Sequence, residues 1–218
     1  LTSEEREMGV ALVDIGGGTT DMAVFVQGSI WQTLSLGMGG NHITNDLAVG
    51  LRAPFNTAED VKVRYAHALV DTVDEQDAIE VATFGETTVS SVKRREVCGI
   101  AVARAKEMLE AVGLEIKRSG LDGLLPAGYV LTGGTADLPG LRELAVEILQ
   151  VPVRVGVPRK LQGLVESISS PAYATAVGLL LWGMNKQEVT TEIIGLESKP
   201  KALWYKLLEV LKLFLPKG

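Results

Sequence analysis

The string Val13-Asp14-Ile15-Gly16-Gly17-Gly18-Thr19-Thr20-Asp21 constrains this chain more than any other stretch. Consecutive glycines suit neither a helix nor a strand interior, because glycine gives up more conformational freedom on folding than any other residue. Here they separate two β-forming runs, 9–15 and 21–26, and so read as the turn of a β-hairpin. A turn without side chains lets a ligand approach the backbone, and its N–H groups form a concavity suited to phosphate oxygens. Thr19 and Thr20 add hydroxyl donors, and Asp14 sits where a carboxylate can hold hydrated magnesium beside the phosphates. Asp14, Gly16, Gly17, Gly18, Thr19 and Thr20 are therefore the first candidate site residues, with Asp14 the candidate metal ligand.

The rest of the chain reads as α/β. A third strand, 29–36, follows the Gln27-Gly28 turn, and helices are expected over 41–49 and 57–69. Thr57 is the expected N-cap of the second, with Glu59 and Asp60 in its first turn, where the helix dipole favours acids. Segments 77–84 and 86–92 alternate around Gly85 like a second hairpin, and 95–117 has helical spacing. A buried strand over 128–131 ends in Thr132-Gly133-Gly134, after which Asp137 is the expected cap of a helix over 138–149. An edge strand over 151–155 and an apolar helix over 171–182 complete the body. Residues 185–199 lose apolar periodicity and read as a linker.

A second string, Leu131-Thr132-Gly133-Gly134-Thr135-Ala136-Asp137-Leu138-Pro139-Gly140, runs from a strand through two glycines to a helix N-terminus. That arrangement lets a flat base or a ribose lie directly on main chain. The net charge of -6 argues against a nucleic-acid partner, but the charge is uneven: residues from Lys199 onward carry five lysines and one glutamate. In this basic tail Leu203, Trp204, Leu207, Leu208, Val210, Leu211, Phe214 and Leu215 share one helical face, opposite Lys201, Lys206, Glu209 and Lys212. Such a helix either lies flat on anionic lipid or docks on the protein's own core, and the featureless linker favours lipid. The only cysteine, Cys98, excludes an intrachain disulfide and a thiolate metal cage. His42 and His67 have no second ligand nearby in sequence and read as surface or packing residues. With no spanning stretch and no signal pattern, a cytosolic body is expected, and an opening Leu1 points to sequence upstream.

The two glycine strings resemble the second phosphate motif and the adenosine motif of the actin-like ATPases. Within that superfamily the chain is similar to the FtsA family of bacterial cell-division proteins. The likeness extends to Gly37-Met38-Gly39-Gly40-Asn41, Thr44-Asn45-Asp46-Leu47-Ala48, Tyr173-Ala174-Thr175-Ala176-Val177-Gly178-Leu179 and the amphipathic tail, covering nearly all of 9–218. The resemblance implies a ribonuclease-H-like ATPase half: subdomain IIA from 1–44 and 121–184, an inserted subdomain IIB from 45–120, the linker 185–199, and a membrane-targeting helix over 200–218. It implies ATP and Mg2+ as cofactors, met by the phosphate turn together with Gly39 and Gly40. Glu59 and Lys62 would grip ribose and base, unless they form no more than a solvated intrahelical ion pair. Gly133, Gly134 and Asp137 would flank the adenosine.

The same resemblance implies self-association into filaments and contact with the acidic C-terminal peptide of the tubulin-like protein FtsZ. Arg94 and Arg95 are the expected contact residues, the other reading being a solvated charged face. The implied location is peripheral, on the cytoplasmic face of the inner membrane at the division site. The first phosphate loop and the hydrolytic acids of the superfamily belong upstream of Leu1, so these residues alone are expected to bind ATP weakly or not at all, without turnover. A pilus-assembly component, a cell-shape filament or half of a sugar kinase would share the same turns.

Overall fold

The structure, a computed structural model, describes residues 1–85, 89–159 and 168–194, with side chains described through residue 184. Its scaffold begins with β1 (Val10–Ile15), β2 (Thr20–Val26) and β3 (Ser29–Leu36), paired antiparallel in the meander that the sequence predicts. Farther along the chain, β6 (Tyr129–Thr132) pairs parallel with β1, and β7 (Val153–Val155) pairs parallel with β6. The result is a five-stranded mixed sheet in the order β3-β2-β1-β6-β7. Alternation along β1 and β2 turns Ala11, Val13, Ile15, Met22 and Val24 into one buried cluster with the helices. The β1 to β6 pairing brings Asp14 opposite Thr132. It therefore lays the two glycine turns side by side at one end of the sheet.

Between those strands run α2 (Gly40–Gly50), α3 (Phe55–Tyr65), a two-stranded antiparallel sheet of β4 (Ala78–Val81) and β5 (Ser90–Lys93), and α4 (Arg94–Arg118). α4 buries Val97, Ala101, Ala105, Met108, Leu109, Val112 and Ile116 along one stripe, as its spacing predicts. The second hairpin is shorter than predicted: Val81 pairs with Ser90, and residues 86–88 lie outside those described.

Three boundaries differ from the sequence reading. α3 begins at Phe55 behind Pro54, so Thr57 lies inside the helix and is not its cap. α5 (Leu141–Leu149) begins behind Gly140, whose φ of 81° breaks the chain direction, while Gly134–Asp137 form a separate 3-10 turn. Asp137 therefore caps nothing in α5, and accepts a hydrogen bond from Ser170 Oγ at 2.7 Å. α6 (Ala174–Ile194) runs on through residues read as the start of the linker. The chain divides into two compact units, Leu1–Val177 and Gly178 onward. The tail, with Leu203, Trp204, Leu207, Leu208, Leu211, Phe214 and Leu215, lies outside the described residues. Among the described residues no helix is long and apolar enough to cross a membrane.

One element carries no signal in apolar periodicity. α1 (Ser3–Met8) buries none of its residues. It is started by a reciprocal cap in which Glu5 N donates to Thr2 Oγ1 and Thr2 N donates to Glu5 Oε2. Arg154 of β7 then holds the Glu5 carboxylate with two hydrogen bonds of 2.6 and 2.7 Å. Those bonds, ahead of the others it receives, bring the Glu5 pKa down to about 2.

Candidate functional site

The first glycine turn closes on itself through Gly16 N–H donating to Thr19 O at 2.9 Å. Its carbonyls are then taken by the N-terminus of α2: Gly40 N–H donates to Gly16 O at 2.9 Å, and Asn41 N–H to Gly17 O at 2.8 Å. Only glycine permits this approach, because a Cβ on Gly39 would lie 2.6 Å from Gly17 O and one on Gly40 would lie 2.5 Å from Thr135 Oγ1. Thr135 itself donates to Gly16 O at 3.0 Å. Thus the first glycine turn, the start of α2 and the second glycine turn meet at the oxygen of Gly16.

The two threonines of the string separate in role. Thr19 is exposed, with its hydroxyl donating to Asp21 Oδ2 at 3.0 Å, whereas Thr20 is 1% exposed and its hydroxyl donates to Met38 O at 2.8 Å. Thr20 therefore secures the turn from behind. Asp14, one residue before the turn, accepts a hydrogen bond from Thr175 Oγ1. Its carboxylate rests against Gly133, whose φ is +85° and whose Cβ would lie 2.3 Å from Asp14 Oδ1. Among the described residues no three His, Cys, Asp or Glu side chains converge as a metal cage. The register sets Asp14 directly opposite Asp21 across β1 and β2, and one or two carboxylates are what magnesium takes from protein, completing its shell from phosphate and water.

The wall opposite the turns is made by α2 and α3. Lys62 Nζ lies 2.7 Å from Glu59 Oε2, and donates to Thr44 Oγ1 at 2.9 Å and to Gly40 O at 3.3 Å. Thr44, fully buried, also hydrogen-bonds Glu59. The pair is half-buried, the Lys62 side chain being 15% and the Glu59 side chain 39% exposed. Burial pulls the Glu59 carboxyl upward, but the hydrogen bonds from Lys62 and Thr44 outweigh it and hold the pKa below its ordinary value. Gly40, Glu59 and Lys62, together with Gly17, Gly134, Asp137 and Pro139, border a cleft of about 330 Å3, with Thr44 buried behind it. That volume falls within the range of small-ligand pockets.

The structure thus gathers Asp14, Gly16 to Thr20, Gly39, Gly40, Glu59, Lys62, Gly133, Gly134 and Asp137 around one end of the sheet. Sequence reasoning missed Asn41, Thr44, Thr135 and Thr175. Each stands within four residues of a glycine already singled out or inside a quoted motif, which was the available signal. Arg94 and Arg95 are placed elsewhere, at the start of α4 beside the small sheet. Arg94 donates to Tyr65 O at 2.8 Å and to Asp77 at 3.0 Å, and Arg95 pairs with Glu75 and, at 3.5 Å, with Asp71.

Residues 11–178 match the family described as Cell division protein FtsA. A Pseudomonas aeruginosa relative named Cell division protein FtsA is 44% identical over 187 residues, covering 86% of this chain and 45% of the relative. A Neisseria meningitidis relative of the same name is 41% identical over 181 residues, covering 83% of this chain and 44% of its own length. The chain accordingly spans less than half the length of these curated relatives. Among solved structures, MreB5 of Spiroplasma citri bound to ADP superposes with a TM-score of 0.65 at 20% identity, covering 86% of this chain and 56% of that one. The fold is that of an actin-like ATPase, as the resemblance implies. The family match decides among the alternatives that share the glycine turns.

Proposed function

Since the chain belongs to the FtsA family of bacterial cell-division proteins, we propose that it is the part of an ATP-binding membrane tether that faces the nucleotide and the division ring. The observation that carries this reading is the convergence of three chain-distant segments on Gly16 O, beside a cleft that Gly17, Gly40 and Gly134 help to line. In the proposed role Gly16, Gly17, Gly18 and Thr19 meet the phosphates of ATP, with Gly39 and Gly40 on the same side. Asp14 holds Mg2+, Glu59 and Lys62 form the sugar wall, and Gly133, Gly134 and Asp137 flank the adenosine. Bound magnesium would neutralise phosphate charge. The chain's own residues supply shape and hydrogen-bond donors.

Three partners complete the proposal: other copies in a filament, the acidic C-terminal peptide of FtsZ, and anionic lipid. For the peptide, Arg94 and Arg95 would exchange their internal partners Asp77, Glu75 and Asp71 for the acids of FtsZ. For lipid, Leu203, Trp204, Leu207, Leu208, Leu211, Phe214 and Leu215 supply the apolar face and the tail lysines the attraction, about 1 kcal/mol for each lysine near the surface. One such helix binds modestly, so filament formation would lengthen residence at the cytoplasmic face of the inner membrane by avidity.

Liposome flotation tests the tether. The chain should float with anionic vesicles, and removing residues 200–218 should leave it at the bottom of the gradient. Flotation unaffected by that removal overturns the membrane role. For the division partner, R94E/R95E should abolish binding of the FtsZ C-terminal peptide, and unchanged binding overturns the assignment of those arginines.

A further inference from the structure

We infer that Thr44 is a positioning residue for sugar recognition: its buried hydroxyl fixes the Glu59 carboxylate so that one free oxygen accepts from a sugar hydroxyl. A nucleotide with an intact vicinal diol is thereby preferred over a deoxy analogue. The inference rests on the nucleotide-binding reading above and names what one wall of that cleft selects.

The geometry assigns each proton. Lys62 Nζ carries three, and three acceptors of the protein surround it: Glu59 Oε2 at 2.7 Å, Thr44 Oγ1 at 2.9 Å and Gly40 O at 3.3 Å. Lys62 is therefore spent inside the wall. Thr44 Oγ1 has a single proton, for which Glu59 and Gly40 O, the latter at 3.1 Å, compete. A carboxylate is the stronger acceptor, so the proton goes to Glu59. Both donors reach the same atom, Oε2. Oε1 consequently has no protein donor among the described residues, on a side chain 39% exposed at the border of the cleft. An ionised carboxylate oxygen can only accept; a nucleotide can bring it a sugar hydroxyl or the exocyclic amine of adenine, and the deoxy analogues below tell the two apart.

Thr44 touches no ligand in this arrangement, since none of its surface is exposed. It acts through Glu59. It stands one turn into α2, whose first residue abuts the phosphate turn, so Glu59 is placed relative to the phosphates by α2 as well as by its own helix. Without the hydroxyl, Glu59 keeps Lys62 alone and can turn its carboxylate. A site built to hydrogen-bond a hydroxyl rejects an analogue that lacks it because its own polar group is left unpaired.

The test uses the 218-residue chain and follows nucleotide binding by NMR shifts at up to millimolar concentrations of ATP, 2′-deoxyATP and 3′-deoxyATP. The unaltered chain should prefer ATP to at least one deoxy analogue by about tenfold, the value of a lost hydrogen bond to a charged group. T44V should bring that ratio close to one by weakening ATP binding and sparing the analogue, and T44S should restore it. Equal weakening of all three nucleotides by T44V overturns the inference, as does an unaltered chain that binds all three alike. If the unaltered chain binds no nucleotide at these concentrations, as its expected weak or absent binding allows, the ratio gives way to a second readout on Glu59 itself. Thr44 is then judged by a pH titration of the Glu59 carboxyl carbon: an upward shift in T44V that T44S reverses upholds its hold on Glu59, and an unchanged midpoint dismisses it. Circular dichroism confirms that each variant is folded.

Discussion

Gly133 shows how one side-chain atom decides a site. Its left-handed backbone and its contact with Asp14 each exclude a Cβ. G133A should lower unfolding free energy by on the order of 2–4 kcal/mol, from backbone strain plus overpacking, as read from urea denaturation. Gly18 is the control, since nothing lies within 4 Å of its Cβ position. G18A should stay within about 0.5 kcal/mol of the unaltered chain. Glu5 gives a pH-dependent case. Its folded pKa of about 2 lies below the ordinary carboxyl value of 4.5, so its stabilisation is complete above the higher value and fades as pH falls through the lower. E5Q should therefore destabilise by about 1–2 kcal/mol at neutral pH, by less as pH falls below the ordinary carboxyl value, and not at all below the lower pKa, which thermal melts across that window will measure. At this scale the glycines were legible in the sequence because runs of them have few structural uses. The hydroxyls of Thr44, Thr135 and Thr175 were not, because threonine is at home in strands, helices and caps alike, and tertiary geometry alone chooses its partner.

Among the elements, those whose apolar residues recur at one period were readable: the β1 to β3 meander, α2, α4 and β6. Where a competing local rule set the boundary, the reading slipped. Pro54 starts α3 ahead of the threonine that looked like its cap, and Gly140 delays α5 past the aspartate that looked like its cap. α1 went unread because it buries nothing, although its Thr2 to Glu5 spacing is the signature of a reciprocal cap. α2 and α4 are also joined by charge. Arg104 of α4 donates to Asp46 of α2 at 2.6 and 3.0 Å, and this pairing leads the causes that raise the Arg104 pKa. Both side chains are only partly exposed, 25% and 33%. Such a two-pronged pair exceeds an ordinary surface salt bridge. A double-mutant cycle of R104A and D46A should give a coupling energy of about 1–2 kcal/mol, and a value near zero would show that packing alone joins the two helices.

On the scale of the whole molecule, the relatives are about twice as long as this chain, so the cleft is walled here by less than half of such a protein. The chain alone should consequently bind ATP only in the millimolar range and release no phosphate. Calorimetric titration and a phosphate-release assay check this, and a micromolar dissociation constant would refute it. Equally molecular in scale is the way the central ladder is assembled. β1 finds β6 only after everything from Ile15 to Tyr129 has been threaded between them. On the ribosome, at roughly 5–20 residues per second, the first meander must wait on the order of ten seconds with one flank unpaired. The intervening lobe meanwhile has time to fold from local contacts. A nascent chain that stalls before Thr132 would display an open strand border, a natural target for chaperones.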